Sequence, residues 1–548
     1  MRVWWLFVFA LGCEPVKVGG TPTDSPQPKE TGEPDVEDTA PPPEITCEAP
    51  ALELVSEWSG SDLHPPPNRD PADVLGSCGW GLAAVDLNDD GAVDLLPAGS
   101  SSPTYALVNV GGVLTSTKDI RFDGSELPPT NGLAAGDINQ DGRPDIVLAR
   151  SRGYADLVYT NQGGGEFFSA ELPDSLAESQ GATFFDADAD GDLDLFISRH
   201  IDMSQTDVLA LEAGTQRAES NGFYINEGGT FVAGPPVGVI DAATFQAVPL
   251  DADVDGDLDL YLVNDFGAFI EPSALMMNDG TGHFTEKEDC GCDQAMFGMG
   301  ASASDANNDG LIDLHLTDFG SPQLLLGLGM GSFYDSTLAS GAGIVPSADR
   351  VTSWGTTFVD IDQDGSDDIA TAFGPVMMGI PGDWSDTVSD ASVEGLDDSE
   401  FQRDALWLNQ GEQFEEAAEG LGFDFSTNSR AVVTADFDGD GLPDLAIAGL
   451  DEDRNQVVRV HRSSGGCGPG VTVSFPAMGA ADIGAKVEWS VAGVQRVRWY
   501  LPTTTFSSSG PTLHLGLGGH EMADWVRITP MNGVSREVSD VLAGSTVF

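Results

Sequence analysis

Along most of the chain the hydrophobic positions fall in short runs broken by Gly, Asp and Asn, and outside the amino terminus they lack the spacing of an amphipathic helix. The runs come in pairs. Leu82-Ala83-Ala84-Val85 leads into an acidic stretch and Leu95-Leu96 follows it, while Thr356-Thr357-Phe358-Val359 and Ile369 flank another far downstream. Two such runs around a tight loop predict a β-hairpin. A second turn often follows, with Asn and Gly ahead of an aromatic residue: Asn161 before Phe167, Asn226 before Phe231, Asn278 before Phe284 and Asn409 before Phe414. Each repeat therefore supplies a second hairpin and reads as a small four-stranded sheet.

The acidic stretch between the paired runs obeys one rule in seven copies: Asp, any residue, Asp or Asn, any residue, Asp, Gly, two residues, Asp. The copies begin at Asp86, Asp137, Asp186, Asp251, Asp305, Asp360 and Asp436, at intervals of 51, 49, 65, 54, 55 and 76 residues. Alternate side chains of such a loop point inward, so positions 1, 3 and 5 offer oxygens to a central cation while the Gly permits the sharp reversal. The carbonyl at position 7 and the carboxylate at position 9 complete an oxygen shell suited to calcium. The candidate ligands are Asp86, Asn88, Asp90 and Asp94; Asp137, Asn139, Asp141 and Asp145; Asp186, Asp188, Asp190 and Asp194; and Asp251, Asp253, Asp255 and Asp259. The last three loops offer Asp305, Asn307, Asp309 and Asp313; Asp360, Asp362, Asp364 and Asp368; and Asp436, Asp438, Asp440 and Asp444. An EF-hand begins in the same way but needs Glu at position 12, where this chain has Pro97, Leu148, Ile197, Leu262, Leu316, Thr371 and Ile447. About seven Ca2+ per chain are expected.

Four strands per repeat and seven repeats predict an all-β molecule: a seven-bladed β-propeller, which closes on itself without long exposed edges, followed by a small C-terminal β domain. The expected divisions are a signal peptide at 1–13, a disordered Pro/Asp/Thr-rich linker at 14–46, the propeller at 47–465 and the β domain at 466–548. Two long connections, near 199–222 and 373–404, stretch the third and sixth repeats.

Charge narrows the partners. With 89 Asp and Glu against 23 Lys and Arg, the formal net charge is -66. Such a surface repels nucleic acid and anionic headgroups and draws cations. At the amino terminus Arg2 precedes the apolar run Trp4 to Leu11, which is too short to span a bilayer, and Gly12-Cys13 follows as in a bacterial lipobox. Cys13 is the candidate lipidation site, with ordinary secretion as the alternative. An exported, lipid-anchored surface protein is expected, its membrane contact limited to that anchor. Five cysteines then remain, Cys47, Cys78, Cys290, Cys292 and Cys467, which leaves one unpaired; Cys47 with Cys78 and Cys290 with Cys292 are plausible pairs, and spacing alone leaves the connectivity open.

The repeats resemble the FG-GAP/VCBS repeats of integrin α-subunit propellers and of many secreted bacterial proteins, over roughly residues 50 to 465. That resemblance implies calcium in the acidic loops on one face of a ring, with partners bound by the other face and its loops. Beyond the Gly-rich joint at 463–470 the acidic loop does not recur. Ile483-Gly484-Ala485-Lys486-Val487, then Leu513-His514-Leu515-Gly516-Leu517-Gly518, then Asp524-Trp525-Val526-Arg527-Ile528-Thr529-Pro530 and Gly533 resemble an ASPIC/UnbV module, with Leu515 and Thr529-Pro530 departing from its pattern. A propeller with this module is the layout of the cartilage acidic protein-like secreted proteins.

No catalytic constellation stands out. The seven His are His64, His200, His283, His315, His461, His514 and His520, and none belongs to a metalloprotease, phosphate-loop or nucleophile-elbow motif. The expected role is a monomeric surface adhesion, scaffold or ligand-binding protein, not an enzyme, whose ligand is a protein or carbohydrate. The alternative is a propeller-based lyase or hydrolase with its site opposite the calcium loops. Met377, Met378, Trp384 and Trp407 in the sixth repeat invite partner binding, although Trp407, just before the Asn409 turn, reads better as a core residue.

Overall fold

The computed structural model describes residues 47–59, 63, 80–99, 103–151, 153–201, 218–238, 241–343, 352–374, 402–411, 413–450, 456–531 and 533–548. The signal segment with Cys13, the linker, Cys78, His64, Met377, Met378 and Trp384, and most of the two long connections, lie outside these residues. No helix among the described residues is long and apolar enough to cross a membrane.

Each acidic loop joins the first two strands, an antiparallel pair, of its own sheet. The first strands are Leu82–Val85, Gly132–Gly136, Ser179–Phe185, Ala243–Leu250, Gly298–Ser304, Ser353–Val359 and Ser426–Ala435. The second strand of every sheet opens on the position 9 Asp, which pairs with the residue just ahead of position 1: Val85 with Asp94 in the first sheet, Leu250 with Asp259 in the fourth, Ala435 with Asp444 in the seventh. The register is thus set by the loop. Third strands end on Asn109, Asn161, Asn226 and Asn409 in the first, second, third and sixth sheets.

First strands are almost wholly buried and pack side by side, each against the next, and the first strand of the seventh sheet also lies against that of the first. Glycines mark the closest approaches. A Cβ on Gly132 would meet the Gln180 carbonyl oxygen at 2.2 Å, and one on Gly355 would meet that of Arg430 at 2.7 Å. The fourth strand of the seventh sheet comes from the other end of the chain: Ala51–Ser59 pairs antiparallel with Gln456–Ser464.

That pairing decides the cysteines. The Glu48 N–H donates to the Gly466 carbonyl at 2.9 Å, which sets Cys47 opposite Cys467, and these two form a disulfide across 420 residues. The expected partner Cys78 is displaced by a residue that the strand pairing brings 4.4 Å away, Cα to Cα. Cys290 and Cys292 are joined as expected.

The carboxy-terminal residues form two further sheets, Thr512–Leu515 with Val471–Ser474 and Thr546–Val547, and Val494–Trp499 with Lys486–Val491, Met522–Thr529 and Arg536–Leu542. Residues 45–548 make one compact unit, and the largest apolar cluster runs from the first three sheets (Leu133, Ile146, Leu193) directly into this module (Val487, Trp489, Val526). Between its strands the module sends out a small hairpin, Thr503–Thr504 with Ser507–Ser508. The hairpin lies among the first strands: the Leu82 N–H donates to Ser507 Oγ at 2.9 Å and the Leu133 N–H to the Phe506 carbonyl at 3.0 Å. Thr505 Oγ1 bonds Gln246 Oε1 at 3.1 Å, Thr504 Oγ1 donates to the Val432 carbonyl at 3.2 Å, and Phe506 packs with Phe245, Met299 and Trp354. Gly300 makes the room, since a Cβ there would collide with the Thr505 side chain.

Candidate metal centres

All 28 candidate ligands lie among the described residues, and all seven loops are built alike. The position 1 carboxylate accepts the N–H of the position 6 Gly in six of them, as at Asp86 to Gly91 (2.8 Å) and Asp360 to Gly365 (3.0 Å). The residue at position 4 is left-handed in every loop: Asp89, Gln140, Ala189, Val254, Asn308, Gln363 and Gly439 all have positive φ. This reversal turns the side chains of positions 1, 3 and 5 to one side.

The position 9 Asp has a second task, one that ligand spacing alone does not announce. One oxygen accepts the N–H of position 2, closing its own loop, and the other accepts an N–H from the third strand: 3.0 and 2.7 Å at Asp94, 2.9 and 2.7 Å at Asp313, 3.0 and 3.0 Å at Asp444. The Asn of the second turn was legible as a turn residue, but its role is larger. Asn226 Nδ2 donates to the Ile138 carbonyl at 2.8 Å, Asn278 to Ala187 at 2.8 Å, Asn409 to Ala306 at 2.8 Å and Asn109 to Phe437 at 2.7 Å. Each of these carbonyls belongs to position 2 of the preceding sheet's loop, and for Asn109 the preceding loop is the seventh.

Carboxylates converge in four loops. Asp186, Asp188 and Asp194; Asp251, Asp253 and Asp255; Asp360, Asp362 and Asp368; and Asp436, Asp438 and Asp444 each place three ligand oxygens within 4.8 Å of one another. These are the four loops with Asp at position 3. The first, second and fifth, with Asn88, Asn139 and Asn307, do not gather three carboxylates to that distance. Burial pushes the position 9 carboxyls up, to about 7 at Asp94, Asp145 and Asp194 and to about 8 at Asp259, Asp313 and Asp444, with the neighbouring Asp residues adding to the effect and two backbone N–H groups opposing it. Buried oxygens Asp188 Oδ1, Asp253 Oδ1 and Asp360 Oδ1 have no hydrogen-bond partner. An oxygen-only donor set, crowded, desolvated and partly without hydrogen bonds, fits a hard divalent cation. Such an ion would supply the positive charge that these carboxylates lack.

The histidines lie apart from these clusters in role. His315 and His461 are fully buried, and desolvation pushes their rings down to about 3 and about 4. His200 Nε2 meets Asp265 at 3.2 Å and stacks on Phe245, while His514 Nδ1 meets the Gly441 carbonyl at 3.2 Å. Trp407 is fully buried, as a core residue should be.

Comparison with known proteins gives the pattern a family. The model of the FG-GAP-like repeat matches residues 86–148, 137–197, 305–371 and 394–447, and that of ASPIC and UnbV matches 477–547. These repeat spans contain every acidic loop except the fourth, Asp251 to Asp259. Integrin alpha-6 of Gallus gallus is 31% identical over 135 residues, which is 22% of this chain but 12% of that protein. Among solved structures, an Agrocybe aegerita lectin that recognises non-reducing terminal N-acetylglucosamine is 18% identical, covering 62% of this chain and 79% of its own with a TM-score of 0.38. The V. cholerae biofilm matrix protein Bap1 is 11% identical, covering 90% and 92% with a TM-score of 0.32. These structural likenesses are too loose to carry a ligand or an activity over. The chain is a protein of FG-GAP-like repeats that ends in an ASPIC and UnbV domain.

Proposed function

We propose that the seven sheets are the blades of a closed propeller, that its acidic loops hold about seven calcium ions, and that the assembly is an exported binding or adhesion scaffold without catalytic activity. The observation that carries this reading is the identity of the seven loops: the same donor positions, left-handed turn and paired bonds at position 9, with 25 carboxylates among 28 ligand positions. Closure is supported by Ala51–Ser59 completing the last sheet and by Asn109 bonding the seventh loop. So many negative charges a few ångströms apart repel one another unless cations neutralise them, which couples metal to folding. A non-catalytic role is supported by the histidines, of which His200, His315, His461 and His514 serve as packed or bonded core groups. The ligand class is a protein or carbohydrate at the cell surface. Cys13 would hold the protein there through lipid, with the segment that follows as a tether.

Elemental analysis after dialysis into millimolar calcium should find about seven ions per chain, and excess chelator should lower the melting temperature by a wide margin. Two or fewer retained ions, or a melting curve indifferent to chelator, would overturn the calcium reading. The loops with Asn88, Asn139 and Asn307 should empty first, having one fewer charge each.

A further inference from the structure

The sixth loop is gripped by the carboxy-terminal module along its whole length. The Cys467 N–H donates to the Asp362 carbonyl at 2.7 Å, the Gly518 N–H to the Gln363 carbonyl at 3.0 Å and the Gly470 N–H to Gln363 Oε1 at 3.2 Å. Arg496 reaches the Asp364 carbonyl at 3.4 Å. Arg498, itself 5% exposed and lying over the Trp489 ring, bridges Asp360 at 3.2 Å and Asp367 at 2.6 Å. The contact is too close for a side chain at Gly516, where a Cβ would stand 2.1 Å from Asp360 Oδ2 and 2.6 Å from the Gly365 nitrogen. The Gly516 and Gly518 positions of the module's His-x-Gly-x-Gly segment are therefore the surface that meets this loop.

The same loop carries one of the four convergent clusters, Asp360, Asp362 and Asp368. Asp360 is 2% exposed; its Oδ2 takes the Gly365 N–H and Arg498, and its Oδ1 is buried without a partner. Counting Asp364 and Asp367, the loop carries five carboxylates against the two guanidinium groups of Arg496 and Arg498, of which Arg498 pairs with Asp360 and Asp367, so a divalent cation is accommodated in the loop without excess positive charge. Before neutralisation the carboxylates push one another apart. That repulsion works against the loop shape that the module contacts through the backbone of Asp362, Gln363 and Asp364 and the side chains of Asp360, Gln363 and Asp367.

We propose that the sixth loop is the calcium-dependent dock of the carboxy-terminal module: a cation held by Asp360, Asp362, Asp364 and Asp368 fixes the backbone that the module grips, and filling this one site seats the module. The inference rests on the reading of the loops as calcium sites. It makes the sixth site a joint between two parts of the chain, unlike a site such as the third, where Asp190 is exposed. By linkage, a seated module must in turn tighten calcium at the sixth site.

The test uses the full chain and two matched substitutions at position 5, D364N in the sixth loop and D190N in the third. Metal content and deuterium exchange over Lys486–Trp499 and Met522–Thr529 are measured on the same samples. Each variant is expected to lose one calcium, but only D364N should speed exchange in the module, by tenfold or more. Equal module exchange in the two variants, each short of one ion, overturns the dock while leaving the calcium reading intact. Wild-type protein that retains no calcium brings down both. If D364N does not fold, G516A gives the converse measurement: it should cost one calcium ion of the full complement, and retention of all of them overturns the proposal.

Discussion

Val254 sits at position 4 of the fourth loop with φ of 64° and is 61% exposed, so a β-branched residue occupies a left-handed turn with little packing to recompense it. Asn, which tolerates this region and stands there in the fifth loop as Asn308, should relieve the strain. V254N is expected to stabilise the protein by about 1 kcal/mol, read as a shift of the denaturant midpoint at saturating calcium. His461 presents a different local cost, since both ring nitrogens are buried without a partner between Phe423 and Phe425. Desolvation holds its folded-state pKa at about 4, below the usual 6.5. A depressed His pKa means that stability is intact above pH 6.5 and drains away as pH falls toward 4, because the unfolded chain takes up the proton more readily. H461L should therefore be at least as stable as wild type at pH 7 and lose less stability than wild type between pH 7 and pH 5, with calcium held constant. Equal losses in the two proteins would show that His461 is not a source of the acid sensitivity.

At the scale of strands and loops, the Asn of the second turn is the fastening between neighbouring sheets. Asn278 donates to Ala187 in the preceding loop at 2.8 Å and to Leu258 in its own at 3.1 Å, both buried. N278A leaves two buried carbonyls without these donors and should cost about 1–3 kcal/mol in thermal or chemical unfolding, with calcium content unchanged if the loops themselves are intact. The first two strands and the loop of each sheet were readable from the sequence because the spacing from position 1 to position 9 is fixed in all seven copies, and the strand register follows from it. The second role of Asp94 and its counterparts was not readable, since a bond from a third strand depends on a turn of variable length. Nor was the pairing of Ala51–Ser59 with Gln456–Ser464, which no local pattern specifies, and the bonding of Cys47 to Cys467 in place of the plausible Cys78 is a direct result of it. Trp407 was placed in the core correctly because it shares the position of other apolar residues before the turn.

At the scale of the whole molecule, parts far apart in the chain complete one another. The seventh sheet takes its fourth strand from residues 51–59, the cluster beneath the first and second sheets is closed by Val526 and Val541, and the hairpin at 503–508 stands among first strands that begin at residue 82. Conformational entropy must be spent on these long-range contacts before burial rewards them, so they form late and slowly. A chain emerging amino terminus first can make individual hairpins as it goes, but Ala51–Ser59 stays unpaired until Gln456–Ser464 arrives and the apolar cluster stays uncovered until Val526 and Val541 arrive. The native structure can thus be sealed only after residue 541 has been made, and a chain truncated ahead of that residue is left with exposed apolar surface.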